Sequence, residues 1–366
     1  MMNCSILAFL ALSYGSPVLC LLGKAAAFRG HRSRNVLSEK RNAPLFQSTV
    51  VDDETLIAEE LLRVNGEIID THLHTAPWFD SAGPLIEELE LANVSIGLLY
   101  NPYPKMTLPY DLNTFIHNIA SNSGGKIFML ASLNTTHENW AEHREEEMER
   151  LRTFLEKKET LGCKLAPPHT CLPLTGPVID DVVDTVAQSS KKLLGIHMGT
   201  TPFCGPIGKQ VGMDCRCTEE YVNPALLIPK VEQYPDVKFC LLHSGHEFLP
   251  PDSPDGYHDF RFSDECIRMA KKYPNVYLSI SAIFANDKDG NMKYPGGEEI
   301  CRKMKEADIC HKVFWGSDAS YFQGQIRPVL ITGIKAMINA GWTPEERSWT
   351  LNGCARAVFG FPEKTE

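Results

Sequence analysis

Residues 66–80, GEIIDTHLHTAPWFD, set the frame for everything that follows them in the chain. The apolar pair Ile68-Ile69 leads into His72 and His74, two histidines one residue apart. Residues two apart on a strand share a face. A strand over 67–71 therefore projects both imidazoles from its C-terminal end, as a ligand pair for a divalent metal would require. An isolated His-x-His is more often a pair of surface or turn histidines, because so short a motif recurs by chance. The rest of the chain has to decide.

Working outward, short apolar or β-branched runs alternate with helical stretches. Strands are expected over 68–70, 95–100, 127–132, 162–166, 193–197, 237–242, 276–280 and 313–315. Between them, Met148, Leu151 and Leu155 stand at helical spacing with charged residues on the opposite face. Strand–helix alternation argues a parallel sheet with crossover helices. Eight such units predict an α/β fold, a (β/α)8 TIM barrel, in which C-terminal strand ends build the active site. A doubly wound open sheet is the alternative, and it does not readily explain the polar residues at those ends. His72 and His74 close the first strand, Lys164 lies in the fourth, His197 ends the fifth, His243 the sixth and Asp318 the eighth. A single histidine closing an apolar strand is often just a hydrogen-bonded core residue. Four histidines and an aspartate at strand ends of one sheet instead suit zinc, iron or manganese, with a position left open for water.

The motifs carrying these residues are DTHLHT, KLAPP, GIHMGT, LLHSGH, YPNVYLSIS and VFWGSDAS, followed by LNGCARAVFGF. In this order the chain resembles the amidohydrolase superfamily, specifically its amidohydrolase-related branch, over about residues 66–361. The resemblance implies one divalent metal, Zn2+ first with Mn2+ or Fe2+ as alternatives, held by His72, His74, His197 and Asp318. It implies that Asp318 is also the base, and that His243 polarises the substrate carbonyl or moves a proton. Lys164 occupies a strand where some relatives carry a carbamylated lysine bridging two metals; the alternative is a cationic substrate or structural group. Three departures bear on the pocket: His246 where a further glycine is common, Ala166 in place of a histidine, and the long loop over 199–221.

Composition narrows the class. The chain has 366 residues, 43% hydrophobic and 22% charged, with a net charge of −10, which is ordinary for a globular protein. No basic patch of the kind nucleic-acid binders carry stands outside the N-terminus. No membrane span is expected in the mature protein. Residues 1–47 read as an address: apolar runs over 6–12 and 18–22, small residues Ala25-Ala26-Ala27, then a basic, serine-containing segment from Phe28 to Arg41. Such a signal-plus-transit arrangement resembles the bipartite plastid presequence of algae with red-lineage secondary plastids; plain secretion is the alternative. Its removal takes the net charge to −15 and leaves residues 48–366 as one barrel domain. The cysteines form no regular framework, and free thiols are expected, with Cys204, Cys215 and Cys217 clustered in one loop.

The expected activity is hydrolysis of an amide, lactone or ester by metal-activated water. The alternative is decarboxylation of an aromatic or related carboxylic acid, and a catalytically dead binding protein is the third class. A decarboxylase needs a cation for the departing carboxylate, for which Arg216 and Lys105 are candidates. Trp78 and Tyr321, with Phe79, Tyr103 and Phe322, either wall a flat substrate or pack the loops. The expected partner is a small-molecule substrate, with a homodimer left open.

Overall fold

A computed structural model describes residues 52–361 apart from 75–80, 101–110, 134–139, 171, 202–217, 248–259, 282–284, 287–291, 294 and 320–323. The predicted presequence lies outside the described residues.

Eight strands form one parallel sheet in chain order: β1 (Ile69–His74), β2 (Ile96–Tyr100), β3 (Ile127–Ala131), β4 (Thr160–Leu165), β5 (Leu193–His197), β6 (Lys238–Leu242), β7 (Val276–Ile280) and β8 (Val313–Trp315). The segment leaving β8 returns to β1 through a parallel bridge between Ala319 and Leu73, and the sheet becomes a (β/α)8 barrel. All eight runs expected from the sequence are strands. A short antiparallel pair, Ala285–Asn286 with Met292–Lys293, was not foreseen. The barrel strands are buried almost without interruption, as expected when helices cover a parallel sheet.

The helices form for legible reasons. In α1 (Asp53–Arg63) the Asp52 carboxylate accepts from Thr55 N at 3.0 Å. Acids in its first turn and Arg63 in its last complement the helix dipole. In α2 (Trp140–Leu155) Met148, Leu151 and Leu155 are buried as predicted. In α3 (Pro177–Gln188) a proline opens the helix, where its missing N–H costs nothing. Apolar side chains then sort into two layers. Leu99, Met129, Leu194 and Leu241 face the helices, whereas Leu98, Leu130, Leu193 and Leu242 line the interior. The helix α4 (Cys354–Phe359) and Phe361 belong to the interior layer, with Phe359 against Phe314 at 5.1 Å and Phe361 against Phe128 at 5.3 Å between ring centroids.

One irregularity positions the site. Ile68 and Leu73 both belong to the helix-facing layer, although an unbroken two-residue period would set them on opposite faces. The β1–β2 register shifts between Asp70 and Leu73. Such a shift re-aims side chains, and here it turns Leu73 outward and His72 and His74 inward. The sequence placed these histidines just past a regular strand; they lie within a kinked one.

Glu60 of α1 is fully buried and bonds Arg347 Nε at 2.9 Å. Replacing Glu60 with alanine should cost about 3–5 kcal/mol, because Arg347 is left as a buried unpaired charge. Denaturant unfolding of Glu60→Ala checks this, and a Glu60→Leu/Arg347→Met double variant should recover much of the loss.

Candidate metal centre

His72, His74 and Asp318 converge where β1 meets the segment after β8. Their ligating atoms all lie within 4.8 Å of one another. Asp318 Oδ1 stands 2.9 Å from the Nε2 atoms of both histidines, and those two Nε2 atoms are 3.1 Å apart. Lys164 Nζ lies 3.1 Å from His72 Nε2 and 4.4 Å above the Tyr100 ring. The His243 ring follows at 4.8 Å from His72, and His197 at 4.2 Å from His243. Three of the four expected ligands thus form one tight group, and His197 joins it through His243. Trp78, Arg216 and Tyr321, like Lys105 and the cysteines at 204, 215 and 217, lie outside the described residues.

The backbone does most of the aiming. Asp318 N donates to His72 O at 2.8 Å, and His74 N donates to Ala319 O at 2.5 Å. Asp70 Oδ1 accepts from His72 N at 3.0 Å and Ser317 N at 2.9 Å, clasping the two segments. Asp318, His243 and Ser244 adopt left-handed conformations, at φ 58°, 62° and 49°. Non-glycine residues held so store strain, and such residues cluster at functional sites. Gly316 has its own reason: a Cβ there would stand 2.6 Å from the Cβ of His72.

Burial sets the protonation states. It pushes the imidazoles of His72 and His197 well below their ordinary value and that of His243 down to about 4. It also pushes His74 down and brings the Lys164 ammonium down to about 7. Burial raises the Asp318 carboxyl, but the His72 and His74 imidazoles beside it outweigh this and hold it well below the usual range. Neutral imidazoles beside an ionised carboxylate are the forms in which these groups ligate metals.

A divalent ion fits this donor set. Donors about 2.0–2.1 Å from a tetrahedral zinc stand roughly 3.3 Å apart, close to the 2.9 and 3.1 Å separations here. His197 Nε2 is buried and has no hydrogen-bond partner among the described residues, which leaves an open nitrogen beside the cluster.

Three residues went unassigned at the sequence level. Tyr100 ends β2 and donates its hydroxyl to Thr71 O. Ser281 follows β7 and lies 3.0 Å from His72 Nδ1. His169, just beyond the two prolines after β4, sets its ring 4.8 Å from His197. The strand-end rule that found the histidines points equally to Tyr100 and Ser281. For His169 the sequence offers only its place just after two prolines.

Comparison with known proteins agrees with this geometry. The family model described as amidohydrolase matches residues 139–361, well over half of the sequence. The chain belongs to the amidohydrolase family. A 100-residue stretch is 31% identical to the protein fluG of Emericella nidulans, covering 27% of this chain and 9% of that protein. Among solved structures, a Pseudomonas putida protein assigned as a 2-pyrone-4,6-dicarboxylic acid hydrolase superposes with TM-score 0.52 at 15% identity, over 81% of this chain and 99% of that one. A 5-carboxyvanillate decarboxylase of Novosphingobium aromaticivorans, complexed with manganese, gives 0.52 at 12% identity, over 80% and 96%. At such identities the two structures establish the fold and not the substrate.

Two substitutions test the centre. His72→Ala/His74→Ala should lose most bound metal, measured per chain by elemental analysis, while circular dichroism still reports a folded barrel. Full metal occupancy would remove both from the ligand set. Gly316→Ala should weaken metal binding without replacing any ligand, because the added methyl displaces His72; a chelator competition measures it.

Proposed function

We propose that this protein is a metal-dependent hydrolase that cleaves a C–N or C–O bond of an amide, lactone or ester. The observation that carries this reading is the Asp318 carboxylate held 2.9 Å from an imidazole nitrogen of both His72 and His74. His72, His74 and Asp318 would hold one divalent ion, with His197 as a fourth ligand and zinc as the first choice for this nitrogen and oxygen set. When bound, such an ion supplies Lewis acidity, which polarises an acyl oxygen and makes hydroxide available near neutral pH.

The residues then divide the work. Asp318, anionic and only partly exposed, takes the proton of the attacking water and returns it to the leaving group. His243 Nδ1 lies 2.9 Å from the carbonyl of Ser281, which can only accept, so Nδ1 carries the proton. In the neutral ring Nε2 is then a lone pair, which favours proton transfer over donation to an oxyanion. Lys164, buried beside the cluster, offers a cation to an anionic group of the substrate.

Decarboxylation is the second reading, and Lys164 is what favours it. A buried cation next to the metal ligands can hold a carboxylate, and one of the structural neighbours is a decarboxylase. Incubating the metal-loaded protein with lactones, esters, amides and aromatic carboxylic acids, followed by product mass, separates the two. Addition of water identifies the hydrolase, and release of carbon dioxide overturns that assignment in favour of the lyase. Residues 1–47 are proposed to be a removable presequence for plastid import. N-terminal sequencing of the native protein should find a start between Phe28 and Val51, and an intact Met1 would sink the idea.

Asp318 and His243 have separable jobs. Asp318→Asn should abolish activity and weaken metal binding, since it removes an anionic ligand and the base together. His243→Ala should keep nearly full metal occupancy yet lower kcat by about 10²–10⁴-fold, the usual worth of one positioned acid or base. Metal content and kcat of both variants check the division; metal lost from His243→Ala would make His243 a ligand.

A further inference from the structure

Ser281 is fully buried at the end of β7 and stands between two imidazoles. Its Oγ lies 3.0 Å from His72 Nδ1 and 3.3 Å from His243 Nδ1, while its backbone carbonyl lies 2.9 Å from His243 Nδ1. Ser279 Oγ stands 2.9 Å from Ser281 Oγ, and Ser244 Oγ donates to Ser279 O at 2.8 Å. The hydroxyl therefore sits in a buried network tied to β7 and to the turn after β6.

We propose that Ser281 is a positioning residue that fixes the tautomers of His72 and His243, its hydroxyl accepting from His72 Nδ1 and its carbonyl from His243 Nδ1. A hydroxyl has one proton to give and two lone pairs to accept with. The His243 Nδ1 proton is committed to the carbonyl, so the Ser281 hydroxyl cannot donate there. It can accept from His72 Nδ1 on one lone pair and from Ser279 Oγ on the other. In that arrangement His72 Nε2, the atom facing His74 and Asp318, is unprotonated and able to ligate.

Removing the hydroxyl leaves His72 Nδ1–H as a buried donor without this acceptor. Burying an unpaired donor is unfavourable, and the ring can avoid it by moving the proton to Nε2, where it donates to Asp318. That tautomer cannot bind a metal through Nε2. Outer hydrogen bonds to ligating histidines are worth about 10–100-fold in metal affinity, and the same range is expected here.

This inference rests on the metal reading of the site, and the experiment separates the two. Zinc affinity of the full chain is measured by competition with a chromophoric chelator for wild type, Ser281→Ala, Ser281→Thr and Ser279→Ala. Nitrogen-15 NMR of the zinc-free proteins reads the His72 tautomer. Ser281→Ala should bind zinc about 10–100-fold more weakly and shift the His72 proton toward Nε2, with the barrel still folded by circular dichroism. Ser281→Thr should restore both, since it keeps the hydroxyl. Ser279→Ala touches the hydroxyl but neither imidazole, and should lose less than Ser281→Ala. Wild-type affinity in Ser281→Ala, an unaltered His72 tautomer, or a loss that threonine does not rescue would overturn the assignment. A wild-type chain that takes up no zinc would overturn the metal reading itself.

Discussion

The backbone seam between β1 and the segment leaving β8 is the constraint on which the site depends. Two main-chain bonds, from Asp318 N to His72 O and from His74 N to Ala319 O, close the barrel at its catalytic end. The buried Asp70 carboxylate accepts from both sides of the same seam. Closing the sheet and assembling the metal ligands are therefore one event. A change that opened the seam would separate Asp318 from the histidines as surely as a substitution of either.

That closure concentrates polarity where the barrel is driest. Four imidazoles, an ammonium and carboxylates lie at this end of the barrel together with the buried Thr71, Ser244, Ser279 and Ser281. Burying so many ionisable groups is tolerated because the imidazoles are neutral there, driven down by burial. Asp318 is the exception, kept ionised by the imidazoles around it. The arrangement resists folding more than it helps, and its justification is chemical. The left-handed backbone at His243, Ser244 and Asp318 adds to the same cost. Stability comes from elsewhere, from the helix-facing apolar layer and the aromatic plug of Phe359 and Phe361.

Ser281 shows how far the chemistry extends beyond the ligands. An imidazole ligates only as the correct tautomer, and the tautomer is decided at the nitrogen facing away from the metal. Here that nitrogen of His72 meets the Ser281 hydroxyl, which accepts from Ser279 Oγ, while Ser244 Oγ donates to the carbonyl of Ser279.

Much of this was legible in the residues. Two-residue periodicity, apolar runs and helix spacing are local properties, so eight strands and their order followed from the sequence, as did the histidines and aspartate at strand ends. Spacing along the chain carries no distance through space. Only the tertiary structure decided that His72, His74 and Asp318 form the tight trio while His197 joins through His243. The physical reason is the shifted register in β1, the return of the last strand to the first, and the left-handed turns. Each depends on packing between segments far apart in sequence, which no local pattern of residues can encode.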